Sequence, residues 1–495
     1  MKDIIGSKYS RLFFAGLALI ILCAWFSTGF NQADEHFQVL EFCSYKMGIM
    51  PAAQLPWEFA QRVRATLLPG MAYVLVRVLN WLHIYNPFIL TFILRLFVGI
   101  WSWFITCKLC LLLLSKFKGP KGEKLFILLS LFLWFVPYLA VRFTPENLSG
   151  IALLSGVYII LKMDEKKTYS WGGYIISGLL FGVSFFIRFQ ILFALAGLAA
   201  WLLFINKTKW KYIFTIGISM AFAIALNVVI DYWFYGQWTF TPFNYFDANI
   251  TRHMAVQFGT NPWWFYFSEF FMKGVPPFSL ILLVVFFIGM FKNLRDPFAW
   301  IIIPFIALHF FTPHKELRFL FPVAFIFVYL TALGFDYLLS KSYYLKMHRY
   351  VITILWCISI PTLLFRILAP ANSAVCYCEY LYEHAFAKGT PLFAFHNDVD
   401  YSMYGSRASF YKNQDINTVY IDSLSQINKF LETSQPQTAL FLDKHIRNGE
   451  FFNGIKGYKT EMVYSYLPAW IGKINFNNWE ERTEIWRIYR FSKLN

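Results

Sequence analysis

The sequence predicts a polytopic α-helical membrane protein that carries a small α/β domain at its C-terminus. Three observations predict it. Of 495 residues, 58% are hydrophobic and only 15% are charged, and mean hydropathy is +0.49, a balance that soluble globular chains do not reach. Apolar runs recur along residues 1–370 at lengths that suit a bilayer core of about 30 Å. From residue 371 onward these runs shorten and polar residues rise.

The formal net charge of +16 comes mostly from Lys and Arg in short loops between apolar runs. The positive-inside rule predicts that distribution. It excludes a nucleic-acid partner, which needs a basic face on a soluble module. Of the seven cysteines, Cys23, Cys107, Cys110 and Cys357 lie inside apolar runs and read as small buried hydrophobes. Cys107 and Cys110 form a C-x-x-C without the flanking fold of a redox or zinc site. Cys376 and Cys378 are too close for an ordinary disulfide.

Taken in order, Lys2, Lys8 and Arg11 precede the first apolar run, residues 12–30, and set the N-terminus on the cytoplasmic side. The run leads straight into an acidic stretch, so it reads as a retained helix, not a cleaved signal. Residues 31–66 then form a loop on the other face, expected to hold one or two amphipathic helices. Two apolar stretches follow, broken at residues 83–87. Two full crossings there would put the basic segment 116–124 outside. Either one stretch does not fully cross, or the charge rule fails locally. Beyond residue 124 the alternation is regular. Basic loops at 162–167, 207–211, 292–295 and 341–349 fall inside; turns at 142–147, near 188, at 235–276 and at 314–318 fall on the face that carries Asp34. The total is about 11–13 transmembrane helices in a membrane domain, residues 1–370. The soluble domain, residues 371–495, is extracytoplasmic by parity. Its segments 390–396, 418–421 and 438–442 read as strands, with a helix at 423–433.

Three stretches carry chemistry. Asp34 and Glu35 stand side by side about one turn beyond the first span, where acids are functional candidates by default. Either suits a general base; a solvated helix cap is the plainer alternative. His314-Lys315-Glu316-Leu317-Arg318-Phe319 puts three potentially cationic groups in five residues, on the face where topogenic charge does not belong. Lys as a point charge and Arg as a planar fork suit a phosphate. In the loop 241–276, Asn249, Gly259-Thr260-Asn261-Pro262-Trp263-Trp264-Phe265-Tyr266 and Gly274-Val275-Pro276 combine ring faces with ordered Gly and Pro. Such rings pack on sugars or headgroups. Arg188 sits between two apolar runs, where snorkelling accounts for it equally well. No His/Cys/carboxylate metal cluster is evident. The one Asp-x-Asp, Asp398-Val399-Asp400, reads as a turn after a strand. No obligatory metal or other cofactor is expected.

These stretches resemble glycosyltransferase family 22, multi-spanning mannosyltransferases of dolichol-linked oligosaccharides and glycosylphosphatidylinositol (GPI) anchors. The family pattern is His-x-Asp-Glu-x-x-Gln, then Trp-Glu-aromatic, then Arg-x-x-x-x-Pro. Here Asp34, Glu35 and Gln38 match, as do Trp57-Glu58-Phe59 and Arg64 with Pro69; the opening His is replaced by Asn31 or Gln32, depending on alignment. The family's His-Lys-Glu-x-Arg-Phe is complete, with Pro322 following. Around Arg142 the chain departs: Glu146 stands where Asn is usual and the family's Glu falls on Ser149, so no role transfers to Glu146.

The resemblance implies a GT-C fold and an inverting hexosyltransferase, most directly an α-mannosyltransferase. The donor would be a polyprenyl- or dolichyl-phosphate sugar and the acceptor a lipid-linked or membrane-presented glycan. It favours Asp34 as base with Glu35 as helper. It implies substrate contacts at Gln38, Trp57, Glu58, Arg64, Arg142, Arg188, Asn249, Trp263, Tyr266, His314, Lys315, Glu316 and Arg318. The competing class is a transporter or lipid flippase, which needs charges near mid-membrane; Arg95 and Asp231 are its candidates. A Lys-, Phe- and Ile-rich composition with short loops points to a bacterial inner-membrane member, with the endoplasmic reticulum as the alternative.

Overall fold

The bilayer core satisfies no backbone hydrogen bonds, so apolar segments there must close their own. In the computed structural model they do so as helices. The structure describes residues 1–341, 345–395, 409–444, 452, 455–472, 474, 477–479 and 483–494. Among these, five helices are long and apolar enough to cross a membrane: Pro87–Lys116, Pro145–Lys166, Trp210–Tyr235, Leu317–Leu339 and Tyr350–Leu368. Six shorter apolar helices join them: Ser10–Phe26, Leu67–Trp81, Trp171–Ile187, Ile191–Ile205, Phe278–Lys292 and Pro297–Phe311. The chain divides into two compact units. One comprises Met1–Ser27, Trp57–Val74 and Phe92–Ala369; the other comprises Thr28–Pro56, Leu75–Thr91 and Pro370–Asn495.

Within the first unit, polar contacts settle the crossing that the sequence leaves open. Lys108 Nζ binds Asp3 Oδ2 at 2.8 Å, Trp103 Nε1 donates to the Phe13 carbonyl at 2.8 Å, and Arg95 Nε donates to the Ala24 carbonyl at 2.8 Å. As the first helix advances, its partner recedes, so the two are antiparallel. The basic segment after the second returns to the N-terminus: Lys8 and Tyr9 both reach Glu123 at 2.7 Å. The 67–113 region therefore adds one net crossing, and helix Leu67–Trp81 does not traverse separately. The positive-inside rule holds here after all.

Close packing in this unit relies on small residues, as it must where lipid gives helices no hydrophobic reason to associate. A Cβ at Gly178 would stand 2.5 Å from the Ile216 carbonyl oxygen, and one at Gly182 would stand 2.6 Å from that of Met220. The four-residue spacing puts both on one face of helix Trp171–Ile187, against helix Trp210–Tyr235. Hydroxyls join the same helix to its other neighbour. Ser177 Oγ donates to Gly156 O at 3.2 Å and Ser184 Oγ to Ser149 O at 2.7 Å.

The second unit holds a five-stranded mixed sheet: β1 Thr390–Phe395, β2 Ile416–Ile421, β3 Thr438–Asp443, β4 Tyr458–Ser465 and β5 Arg487–Lys493. Their order is β2-β1-β3-β5-β4, parallel across β2-β1-β3 and antiparallel across β3-β5-β4. Helix Leu424–Ser434 buries Ile427 and Leu431 in a core with Phe393, Phe441 and Phe491. The sequence reading finds β1, β2, β3 and this helix. It misses β4 and β5, whose runs are interrupted by Lys459, Glu461, Arg487 and Arg490; Glu461 and Arg490 face each other and pair at 2.9 Å. Asp398 and Asp400 lie outside the described residues.

Residues 28–56 fold within this unit. The Thr28 carbonyl accepts Ala371 N–H at 2.8 Å and Asn372 N–H at 3.2 Å. Short helical turns follow at Ala33–Glu35, His36–Leu40 and Glu41–Lys46. Every residue from Glu35 to Ser44 is buried, so this stretch carries no single apolar stripe of the kind expected of an amphipathic helix.

Candidate functional site

In the first unit, four sequence-distant motifs converge. The helix pairing that joins Ser184 to Ser149 also brings Arg188, one turn further, against Glu146, one turn earlier. Arg188 Nη1 lies 3.2 Å from Glu146 Oε1, with both side chains almost wholly buried. The Arg188 guanidinium sits 4.9 Å from the centre of the Phe319 ring, and Arg318 shares that ring at 5.6 Å. Arg318 grips Glu316 through a two-bond fork, Nε to Oε2 and Nη2 to Oε1, each 2.7 Å. His314 Nε2 approaches Glu316 Oε1 at 3.3 Å. Burial works against the Glu316 carboxylate, but the His314 and Arg318 hydrogen bonds outweigh it and hold its pKa at about 2. The Glu316 hydrogen bond in turn raises the His314 pKa.

The aromatic loop is tied to this cationic segment by Asn261. Its N–H donates to Pro313 O at 2.9 Å, its Oδ1 accepts Lys315 N–H at 3.1 Å, and its carbonyl accepts Lys315 Nζ at 2.9 Å. Lys315 Nζ also donates to Thr312 O at 2.5 Å. The buried Lys315 ammonium thus joins two loops, and burial lowers its pKa. Tyr266 is buried and lies edge-on to His309. Burial raises its pKa and keeps it a neutral donor. Two nitrogens of Arg188, Nε and Nη2, are buried and without a hydrogen-bond partner among the described residues. Trp57 stacks on Phe258, which abuts His314. Arg64 lies 3.7 Å from Glu58 and faces the Tyr245 ring, and Asn249 Nδ2 donates to Tyr245 O at 3.0 Å.

In the second unit, Asp34 is partly exposed while Glu35 is buried. Glu35 Oε2 accepts the Asn31 N–H at 2.9 Å, closing the turn on itself. Gln38 is buried one turn later. Among the described residues no group of three or more His, Cys, Asp or Glu side chains is placed to hold a metal ion.

A family model described as the Alg9-like mannosyltransferase family matches residues 12–388. The chain belongs to that family. Among its curated relatives, GPI mannosyltransferase 3 of Candida albicans is 26% identical over 62% of this chain and 60% of its own length. GPI alpha-1,2-mannosyltransferase 3 of Homo sapiens is 24% identical over 65% and 56%. Human alpha-1,2-mannosyltransferase ALG9 is 29% identical over 36% and 32%. The chain spans about 60% of the length of curated relatives that it matches. The apo structure of ArnT from Cupriavidus metallidurans superposes over 98% of both chains with a TM-score of 0.50 at 11% identity, a likeness of fold alone.

The relatives correct one expectation. They come from fungi, a plant and vertebrates, which overturns the bacterial reading. The composition behind that reading answers to the bilayer, which demands apolar residues in any organism, and so carries no lineage. The fold class stands as read: a polytopic helical membrane protein with a small mixed-sheet domain.

Within this Alg9-like chain the structure brings together Trp57, Arg188, Tyr266, His314, Lys315, Glu316 and Arg318 in the first unit, with Glu58, Arg64 and Asn249 grouped around Tyr245. Trp263 is largely exposed. Arg142 contacts the end of the first helix. It donates to the Ser27 carbonyl at 3.2 Å and to the Ser27 hydroxyl, holding the end of the first helix. The transporter candidates are similarly engaged: Arg95 by the Ala24 carbonyl, and Asp231 by Thr66 N–H at 2.8 Å, Thr66 Oγ1 at 2.6 Å and Thr241 Oγ1 at 2.9 Å. Sequence reasoning quotes Asn261 and Phe319 only within their motifs and gives no role to Glu146 or Glu41. Glu146 is set aside because the family motif is shifted by one helical turn. Positions 146 and 149 share a helix face, and that spacing was the available signal.

Proposed function

We propose that this protein transfers a mannosyl group, with inversion, from a polyprenyl- or dolichyl-phosphate sugar to a glycan presented at the membrane; the names of its relatives support the mannosyl transfer. The bond between the anomeric carbon and the phosphate oxygen breaks. The acceptor hydroxyl forms the new glycosidic bond, and its proton passes to a carboxylate. Asp34 takes that role because the family motif favours it and it is the more exposed of the acidic pair. The charge that develops on the leaving phosphate requires fixed donors that cost no reorganisation.

The observation that carries this reading is the Arg188–Arg318 pair. Each guanidinium is oriented by its own carboxylate, both lie on the Phe319 ring, and Arg188 keeps two buried nitrogens without a hydrogen-bond partner among the described residues. Because each Arg is paired, the cluster offers oriented donors more than net positive charge. The engagement of Arg95 and Asp231 with fixed partners speaks against the transporter class.

The test is reconstitution of the full chain in vesicles with polyprenyl-phosphate mannose and a mannosylated glycolipid acceptor. Mass spectrometry should find the acceptor one hexose heavier. An unchanged acceptor, together with movement of the donor lipid between leaflets, would establish the flippase reading instead.

A further inference from the structure

We propose that the C-terminal domain positions the acidic loop through a clamp centred on Glu41, which makes Glu41 a positioning residue for Asp34 and Glu35. This rests on the mannosyl-transfer reading above. All of its parts lie within the second unit. Glu41 is fully buried. Its Oε1 accepts the Ser409 N–H at 2.6 Å and the Phe410 N–H at 2.9 Å, and its Oε2 accepts the Ser409 hydroxyl at 2.6 Å. His36 Nε2 approaches the same carboxylate at 2.8 Å. Burial opposes ionisation of Glu41, yet the His36, Ser409 and Phe410 hydrogen bonds outweigh it and lower its pKa.

Such an arrangement is costly to leave incomplete, because a buried carboxylate that loses its donors keeps the desolvation penalty. The donors come from 368 residues away in sequence. They belong to the end of the connection between the parallel strands β1 and β2. Parallel strands require a long crossover, and here its last residues reach the first loop. The ring contacts repeat the link. His36 stacks on Phe30 at 5.0 Å and on Tyr411 at 5.6 Å, and Tyr411 stacks on Phe88 at 4.9 Å.

His36 follows Glu35 directly, and the turn Ala33–Glu35 runs into the π-helical turn His36–Leu40 without a break. A π-helical turn is rare and is not self-stabilising at this length. The clamp fixes both its ends: His36 at the first residue, Glu41 just after the last. Where Asp34 and Glu35 stand is therefore set by Ser409–Tyr411 as well as by the loop's own sequence. This gives the C-terminal domain a part in the reaction without any substrate-binding motif of its own.

The test pairs transfer kinetics with hydrogen–deuterium exchange of the full chain in nanodiscs, for the parent, Glu41→Gln and Ser409→Ala. Glu41→Gln presents an amide to donors that need a carboxylate. Ser409→Ala removes only the hydroxyl and keeps the fold if Glu41→Gln does not. The expected result is faster exchange confined to residues 33–46 and 409–411. Turnover should fall roughly 10–100-fold in Glu41→Gln, the usual scale for a misplacement of about 1 Å, and several-fold in Ser409→Ala, with donor KM within about twofold. Unchanged exchange in folded variants overturns the clamp. Faster exchange with unchanged turnover overturns its role in positioning. If the parent itself transfers nothing, the mannosyl reading fails, and the exchange measurement, which needs no substrate, decides the clamp alone.

Discussion

The cationic cluster of the first unit and the acidic loop of the second are held by different means. In the cluster, side chain orients side chain: Glu146 holds Arg188, and Glu316 holds Arg318 and His314. In the loop, main-chain N–H groups take a share: those of Ser409 and Phe410 bind Glu41 beside the Ser409 hydroxyl and His36, and that of Asn31 binds Glu35. The difference matters for mutation. An ion pair fails when either partner is removed, and a buried one fails expensively because the survivor remains charged. Around Glu41 the backbone amides survive any side-chain substitution at Ser409 or Phe410, so what a single substitution removes there is the carboxylate itself, the Ser409 hydroxyl or the His36 ring.

The largest expected effect lies in the loop. Asp34→Asn preserves shape and removes the proton acceptor, so turnover should fall by roughly 10²–10⁴-fold. Glu35→Gln should lose less, since its carboxylate serves the Asn31 N–H. The reverse order in steady-state kinetics would make Glu35 the base. In the cluster, Glu146→Gln leaves the buried Arg188 without its counter-charge. It should cost about 3–5 kcal/mol, read as a lower thermal unfolding temperature in detergent; an unchanged midpoint would mean that Arg188 has another buried anion.

Arg318→Ala removes a charge-assisted contact worth about 1.5–3 kcal/mol, and should appear as a matching loss in kcat/KM for the lipid-phosphate donor. Lys315→Ala sharpens the contrast. Its ammonium bridges the Asn261 and Thr312 carbonyls, so stability should drop by about 1–3 kcal/mol while donor KM moves less than in Arg318→Ala. A larger KM effect would return Lys315 to the phosphate.

The smallest effect is in pH. The His314 pKa is raised above 6.5, so its contribution is full below that value and is lost as pH rises through the raised one. The Glu316 pKa is lowered from 4.5 to about 2, so its contribution is full above 4.5 and is lost as pH falls towards 2. The pair is strongest between about 4.5 and 6.5. Its partial exposure limits it to about 0.5 kcal/mol. Glu316→Gln should flatten the stability profile on both sides of that window, and a persisting slope would assign the titration to other groups.

The spans were legible in the sequence because bilayer solvation forces long apolar runs. The cluster was legible because its parts are compact motifs: His314–Phe319, Asn249–Tyr266 and Arg188 are each read locally, and the structure needed only to bring them together. What escaped was long-range. The antiparallel pairing of residues 3–24 with 95–108 rests on side-chain contacts that no hydropathy run records. Strands β4 and β5 are masked by Lys459, Glu461, Arg487 and Arg490, of which Glu461 and Arg490 pair across the two strands. Glu41 reads as one acid in an apolar stretch, and its meaning depends on Ser409, far along the chain. The bacterial reading failed for a different reason, since composition under bilayer constraint holds no record of descent.

The most direct test of the account is donor choice. The purified full chain in nanodiscs is given the glycolipid acceptor with either polyprenyl-phosphate mannose or a nucleotide-linked mannose, and transfer is followed by mass spectrometry. The expected result is transfer from the lipid-phosphate donor alone, reduced in Arg318→Ala and nearly abolished in Asp34→Asn. Transfer from the nucleotide sugar, or equal transfer by the parent and Asp34→Asn, would contradict it.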